Sequence, residues 1–199
     1  MVPLLNITSQ IDGRPEDGLL AELGQPERYP TMLFLNGDGT VAAVQEARTV
    51  RGFAHTLALL DERDALRGTE GRDQKAEVRL FLVEAELGNL GFEAAQERRR
   101  QLGDISAEQA KAADQLLTNL EVPFVLEKHG RSGKTAEAFL DMHEAGRIPS
   151  GPAAVDFWLN ILYYLQAVDD ERYEKMVAAL EKAAKQDPTL APYLERFRR

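Results

Sequence analysis

Cysteine is absent from all 199 residues. That excludes disulfides, thiolate nucleophiles and cysteine-ligated zinc, and it removes thiol–disulfide exchange from what this chain can do alone. Basic charge is also short: 24 Lys and Arg stand against 33 Asp and Glu, for a net charge of -9 and a pI near 5.0. Nucleic-acid binders concentrate Lys and Arg to displace counterions from phosphates, so this balance argues against such a partner. The acidic excess is shared by residues 1 to 68 and by the remainder. No apolar run reaches the roughly 18 residues that span a bilayer. The start, MVPLLNITSQ, lacks the charged-then-apolar layout of a signal peptide. The chain reads as soluble with no membrane partner, and its compartment stays open. Histidine is limited to His55, His129 and His143. None lies at a zinc-binding i, i+4 spacing, so all three are expected to be solvated surface residues, and no metal or cofactor is implied.

What remains is enough for a folded protein. A hydrophobic content of 44% supports an ordinary core, in one domain or two small ones. Residues 1 to 66 read as strand, helix, strand, strand, helix. Val2 to Ile7 is β-prone, Leu19, Leu20 and Leu23 form a short helical stripe ended by Gly24, and Thr31 to Leu35 is a continuous apolar run. Gly37-Asp38-Gly39 then predicts a tight hairpin, with Val41 to Val44 as its return strand. Thr49 is a candidate N-cap, and Val50, Phe53, Leu57 and Leu60 recur at helical spacing as far as Gly68. Residues 67 to 73 are polar and carry two glycines, and they read as a linker.

Everything from residue 74 to 199 is helical in pattern. Val78, Phe81, Leu82 and Ala85 make one stripe, stopped at Gly88-Asn89; Phe92, Ala95, Arg99 and Leu102 make the next, stopped at Gly103. Ser106 with Gln109 is a capping box, predicting a helix from Ala107 to about Leu120. Phe139 and Leu140 belong to a shorter helix ending at Gly146. After the Pro149, Gly151, Pro152 loop, a helix carries Phe157, Trp158, Ile161, Leu162 and Leu165. A further stripe of Tyr173, Met176, Val177 and Leu180 faces it, Asp187-Pro188 ends that helix, and Leu190, Leu194 and Phe197 mark a last one.

The order and spacing of Tyr29-Pro30-Thr31, the apolar strand Met32 to Leu35 and Gly37-Asp38-Gly39 resemble the second half of a thioredoxin-like domain. The resemblance covers about Val2 to Leu60. It implies a cis-proline at Pro30, with Tyr29, Pro30 and Thr31 lining a groove that pairs with an extended substrate. In that family the Cys-x-x-Cys motif and the strand and helix bearing it lie upstream of the strand matched by Val2 to Ile7. The expectation is therefore a truncated product, a late start, or a domain that borrows a strand from a partner. Without that strand an open sheet edge would invite self-association.

Other motifs have simpler readings. HGRSGKT, from His129 to Thr135, resembles a phosphate loop, but Lys128 stands where the motif needs its first glycine, and Pro123 weakens Val122 to Leu126 as the strand before it. A flexible basic turn before a helix is expected. Asp12, Asp38 and Asp169-Asp170-Glu171 are expected at turns and helix starts. Ser150 lacks a nucleophile elbow. Arg98-Arg99-Arg100 reads as a solvated helix face. Phe157, Trp158, Tyr163, Tyr164 and Tyr173 are expected in the core. Ala179, Ala183 and Pro188 resemble part of a tetratricopeptide unit, yet no clean period of roughly 34 residues runs through the chain.

The sequence thus points to a partial thioredoxin-like βαββα unit, residues 1–66, followed by a helical bundle or loosely repeat-like domain, residues 74–199. The expected role is protein interaction with a protein or peptide partner, with no catalytic residue in this chain. The alternative is a tetratricopeptide-like scaffold with no redox link.

Overall fold

A three-residue apolar run, a turn with two glycines and a four-residue return give an antiparallel hairpin. In the computed structural model, which describes residues 32–45, 49–168 and 170–197, β1 (Leu33–Leu35) pairs with β2 (Val41–Val44). Leu33 opposes Val44 and Phe34 opposes Ala43, with an irregularity after Phe34. Gly39 takes φ 86°, a left-handed conformation that glycine adopts without steric cost. Asp38 closes the turn by accepting from the backbone N–H and the hydroxyl of Thr40 at 3.0 and 2.6 Å. Thr49 then caps α1 (Val50–Gly68), its Oγ1 accepting from Gly52 N–H at 3.0 Å. The expected strand Val2 to Ile7, the stripe Leu19, Leu20, Leu23 and the residues Tyr29, Pro30 and Thr31 lie outside the described residues.

The predicted stripe on α1 is corrected in part. Val50 is 89% exposed, while Leu59 and Arg63 are the residues that α1 buries. Arg63 is tolerated inside because its guanidinium is spent on the hairpin: it donates to the Ala42 carbonyl at 3.1 Å and to Asn36 Oδ1 at 3.2 Å, and Nε donates to Asp64 at 2.9 Å. A buried charge requires such partners.

Seven further helices follow: α2 (Gln74–Glu86), α3 (Phe92–Gln101), α4 (Ala107–His129), α5 (Gly133–Glu144), α6 (Pro152–Ala167), α7 (Tyr173–Gln186) and, after a 3-10 turn at Pro188–Leu190, α8 (Ala191–Leu194). The described fold is α-rich and mixed, with a two-stranded antiparallel sheet. The capping box forms as expected, with Ser106 and Gln109 exchanging bonds of 3.1 and 3.2 Å. Consecutive helices pack in pairs. In addition α2 packs on α4 and α4 on α6, so these three form a continuous layer.

Three apolar clusters run along this array. The first joins Phe34, Ala42, Ala43 and Leu59 to Val83 and Leu87, so it reaches from the hairpin across residues 67–73 into α2 and the residue that caps it. The second sets Phe81 of α2 against Ala95 of α3 and Ala113 of α4. The third and largest surrounds α6, whose Phe157, Trp158, Ile161, Leu162 and Leu165 are all buried, with Tyr173, Met176, Val177, Leu180, Leu190, Leu194 and Phe197 closing over it.

One helix boundary departs from expectation. α4 does not stop near Leu120 but continues through Pro123 to His129. Its C-terminal half buries Val122 and Val125 against the largest cluster, and Phe124 meets Phe92 at a ring separation of 5.1 Å. Packing outweighs the lost hydrogen bond and the clash that proline brings to a helix interior. Pro123→Ala is therefore expected to stabilise the protein by about 1–3 kcal/mol. Thermal denaturation followed by circular dichroism should show a melting temperature higher by roughly 2–4 °C per kcal/mol; an unchanged or lower value would mean that proline is accommodated without strain.

Candidate functional site

The groove residues inferred from the thioredoxin resemblance, Tyr29, Pro30 and Thr31, lie outside the described residues; the strand that follows them is described. The backbone N–H of Gln45 donates to the Met32 carbonyl at 2.8 Å, continuing the ladder one step beyond β1. Phe34 packs edge-on against Phe53 of α1 at 6.1 Å. The hairpin tip is closed within itself. Asn36 N–H donates to the Thr40 carbonyl at 2.8 Å, and the Thr40 hydroxyl and backbone hold the Asp38 carboxyl below its ordinary value. Asp38 is thus a turn residue, as its neighbours in sequence indicate.

A second assembly of charge escaped the sequence reading. Glu84 of α2 is 4% exposed. Arg67 donates to Oε1 from Nε and Nη2 at 2.9 and 2.6 Å, and Arg98 donates to Oε2 at 2.5 Å. One carboxylate therefore ties together the C-terminal ends of α1, α2 and α3. Arg99 approaches Asp114 of α4 at 3.7 Å, and Arg100 pairs with Glu97 at 3.1 Å. This corrects the reading of Arg98-Arg99-Arg100 as a solvated face: only Arg100 is exposed. Nothing local in the sequence marks Glu84, whose partners are 17 and 14 residues away.

The phosphate-loop look-alike dissolves on inspection of its backbone. Val122 to Leu126 is helix, not strand. Gly130 ends α4 with φ 61°, and the fully buried Thr135 donates its hydroxyl back to the Gly130 carbonyl at 2.5 Å. A Cβ on Gly133 would come within 2.9 Å of Tyr164 Cε2. The glycine and the threonine that suggest a nucleotide motif are thus required by packing.

The histidines occupy three different environments. His129 is exposed. His55 is exposed but pairs across helices with Glu86 at 2.8 Å. His143 is not the solvated residue expected. It is half-buried with its ring 5.6 Å from that of Trp158, in an edge-on arrangement. Burial lowers its pKa from the ordinary 6.5, Lys175 adds to the shift, and Glu144 opposes it. Asp170 accepts from the backbone N–H, Nε and Nη2 of Arg172, bonds that draw its carboxyl down to about 2; Arg172 also reaches Glu137, joining the start of α7 to α5. Ser150 is held by Asn119, whose Oδ1 accepts from Ser150 N–H at 2.8 Å. Of the aromatic group, Phe157, Trp158 and Tyr173 are buried, whereas Tyr163 is 47% exposed and meets Phe197 edge-on at 5.0 Å.

Shallow concavities occur among the described residues. One, of about 270 Å³, is lined by Gln74, Glu77, Arg98, Gln101 and Leu102. Another, of about 470 Å³, lies between α4 and the loop before α6, with Lys111, Asp114, Gln115 and Arg147 on its walls. Several of their polar groups are engaged in holding the fold: Gln115 donates to the Ile148 carbonyl at 3.0 Å, and Arg147 pairs with Glu121. Among the described residues no group of three or more His, Cys, Asp or Glu could hold a metal ion, and no helix is long and apolar enough to cross a membrane. No protein-family model, curated protein or solved structure matches the chain.

Two outcomes follow from this geometry. A lowered imidazole pKa means that the native state favours neutral His143, so its contribution is fully present above the unfolded value near 6.5 and is lost as pH falls through the lower folded value. The melting-temperature difference between wild type and His143→Gln should change in that window, and a difference constant from pH 7.5 to 5 would refute it. Gly133→Ala should destabilise through overpacking by about 1–3 kcal/mol, a cost that outweighs the helix-propensity gain of roughly 1 kcal/mol. In chemical denaturation Gly133→Ala combined with Tyr164→Leu should recover the loss; no recovery would place the strain elsewhere.

Proposed function

We propose that this chain is a thioredoxin-family protein without the redox motif that acts in protein interaction, taking an extended segment of another protein in a groove lined by Tyr29, Pro30 and Thr31. The observation that carries this reading is the ββα order: a hairpin turned by Gly37-Asp38-Gly39 and covered by α1 through Phe34, Phe53 and Leu59. That is the closing portion which the resemblance implies. Thiol–disulfide exchange belongs to this reading only if the parent protein supplies an upstream Cys-x-x-Cys, because this chain has no thiol. Among the described residues β1 pairs with β2 alone, and self-association through the other edge of β1 is part of the proposal. Nucleic acid is not a proposed partner, in keeping with the acidic surface balance.

A second reading has its own support. The continuous layer of α2, α4 and α6, flanked by α3, α5 and α7, follows the nearest-neighbour stacking of helical-repeat scaffolds, whose extended faces bind partners without any contribution from a sheet.

Binding of a fluorescently labelled, reduced and carboxymethylated polypeptide to the full chain separates the two readings. Under the first, Pro30→Ala should weaken binding by about tenfold, the 1.4 kcal/mol equivalent of one well-placed contact, without loss of helical circular dichroism. Unchanged affinity in Pro30→Ala, together with a loss in Gln115→Ala on the layer helix α4, would reject the groove in favour of the scaffold.

A further inference from the structure

The hairpin and α1 meet the rest of the chain across a seam with few buried apolar residues. Among the described residues α1 packs on α2 and, less extensively, on β2. The apolar contribution from beyond residue 73 is Val83 and Leu87, far less than the core around α6. The polar half of the seam is made of two arginine–carboxylate pairs and one histidine–carboxylate hydrogen bond between α1 and α2. Arg79 donates from Nε and Nη2 to the two oxygens of Glu62, each at 2.6 Å, and these side chains are 44% and 38% exposed. His55 meets Glu86 at 2.8 Å in a still more exposed setting. Arg67 reaches Glu84 at 2.6 Å.

Parting this seam leaves few buried charges stranded. Arg63 keeps the Ala42 carbonyl, Asn36 and Asp64, all on its own side. Glu84 loses Arg67 but keeps Arg98. The bond from Asn89 Nδ2 to the Ala42 carbonyl, 3.0 Å, is the further link across it. The connection is wired at a single side chain: Arg72 Nη1 donates to the carbonyls of Leu66, Arg67 and Thr69, and its Nε pairs with Glu77 in the first turn of α2. Parting the seam thus costs Glu84 one of its two arginines and Asn89 its bond to Ala42, while Arg63 keeps its partners, and a pivot stands between the two sides.

We infer that the hairpin and α1 open from α2 as one cooperative unit, pivoting at Arg72, and that ionic strength sets how often they do so. Units with few buried contacts open below the global unfolding free energy. Exposed ion pairs are screened as the Debye length falls from about 10 Å at 0.1 M salt to about 3 Å at 1 M, whereas screening does not weaken the apolar contacts that bury α6. The seam and that core therefore respond differently to salt.

Hydrogen–deuterium exchange of the full chain, read by mass spectrometry, tests this. In 0.1 M NaCl, peptides from β2 and α1 should exchange at least tenfold faster than those from α6. In 1 M NaCl, and separately in Glu62→Gln, the rates of β2 and α1 should rise together severalfold while α6 is unchanged. Arg72→Ala should act in the same direction without added salt. The wild-type salt series stands by itself should a variant fold poorly. Exchange of α1 and α6 at one common rate would overturn the inference. So would a rise confined to α1 without β2, which is helix fraying, or rates that ignore both salt and the Glu62 substitution.

Discussion

The need to cover α6 shapes most of the molecule. Its sixteen residues contain a single charge, Asp156, and bury Phe157, Trp158, Ile161, Leu162 and Leu165. A helix apolar over most of its circumference must be covered on several sides. Here α4, α5 and α7 do so, and the segment after α7 seals the end with Leu190, Leu194 and Phe197. Because α4 extends past Pro123 to reach this core while its first turns pack under α2 and α3, the same demand sets the direction in which the array grows. The preceding pairs are then stacked on α4 and bury a smaller cluster around Phe81.

Chemistry changes along the array. Around α6 the buried contacts are apolar and aromatic, with ring pairs such as Phe139–Phe157 at 5.3 Å, and ion pairs such as Arg131–Asp156 and Arg172–Glu137 stay on the exposed rim. Toward the hairpin charge enters the interior: Glu84 binds two arginines, Arg72 bridges two helices, and Arg63 is buried against the Ala42 carbonyl, Asn36 and Asp64. An apolar core tolerates changes of solvent charge, and removing one partner of a buried ion pair is costly even though replacing the whole pair often is not. The N-terminal part of the array therefore depends on the matching of specific partners, and the C-terminal part on volume and shape.

This contrast also governs what could be read from the residues in order. The apolar periodicities of α6 and α7, the capping box at Ser106 and the stops at Gly88, Gly103 and Gly146 are local, because a helix face and its caps are written within a few residues. Thus Tyr173, Met176, Val177 and Leu180 were legible as one buried stripe. Glu84 was not, since a buried carboxylate looks like any other glutamate until its arginines arrive from neighbouring helices. Pro123 misled for a related reason: its local cost is certain, but the packing that outweighs it is tertiary. His143 appeared polar because the indole that covers it comes from another helix. Of the candidate groove the sequence gives a resemblance carried by Tyr29, Pro30 and Thr31, and the described structure adds the hairpin beyond it.

Trp158 is the one tryptophan of the chain, buried at 2% exposure with its ring close to His143. Its emission is consequently a reporter with a restricted field of view. It senses the solvent and the protonation state around α5, α6 and α7, and it is blind to the hairpin and α1. Backbone ellipticity has no such bias, since α1 contributes 19 helical residues. For a molecule whose two ends are held by different forces, coincidence of these two signals during denaturation is a direct measure of whether the ends belong to one cooperative transition.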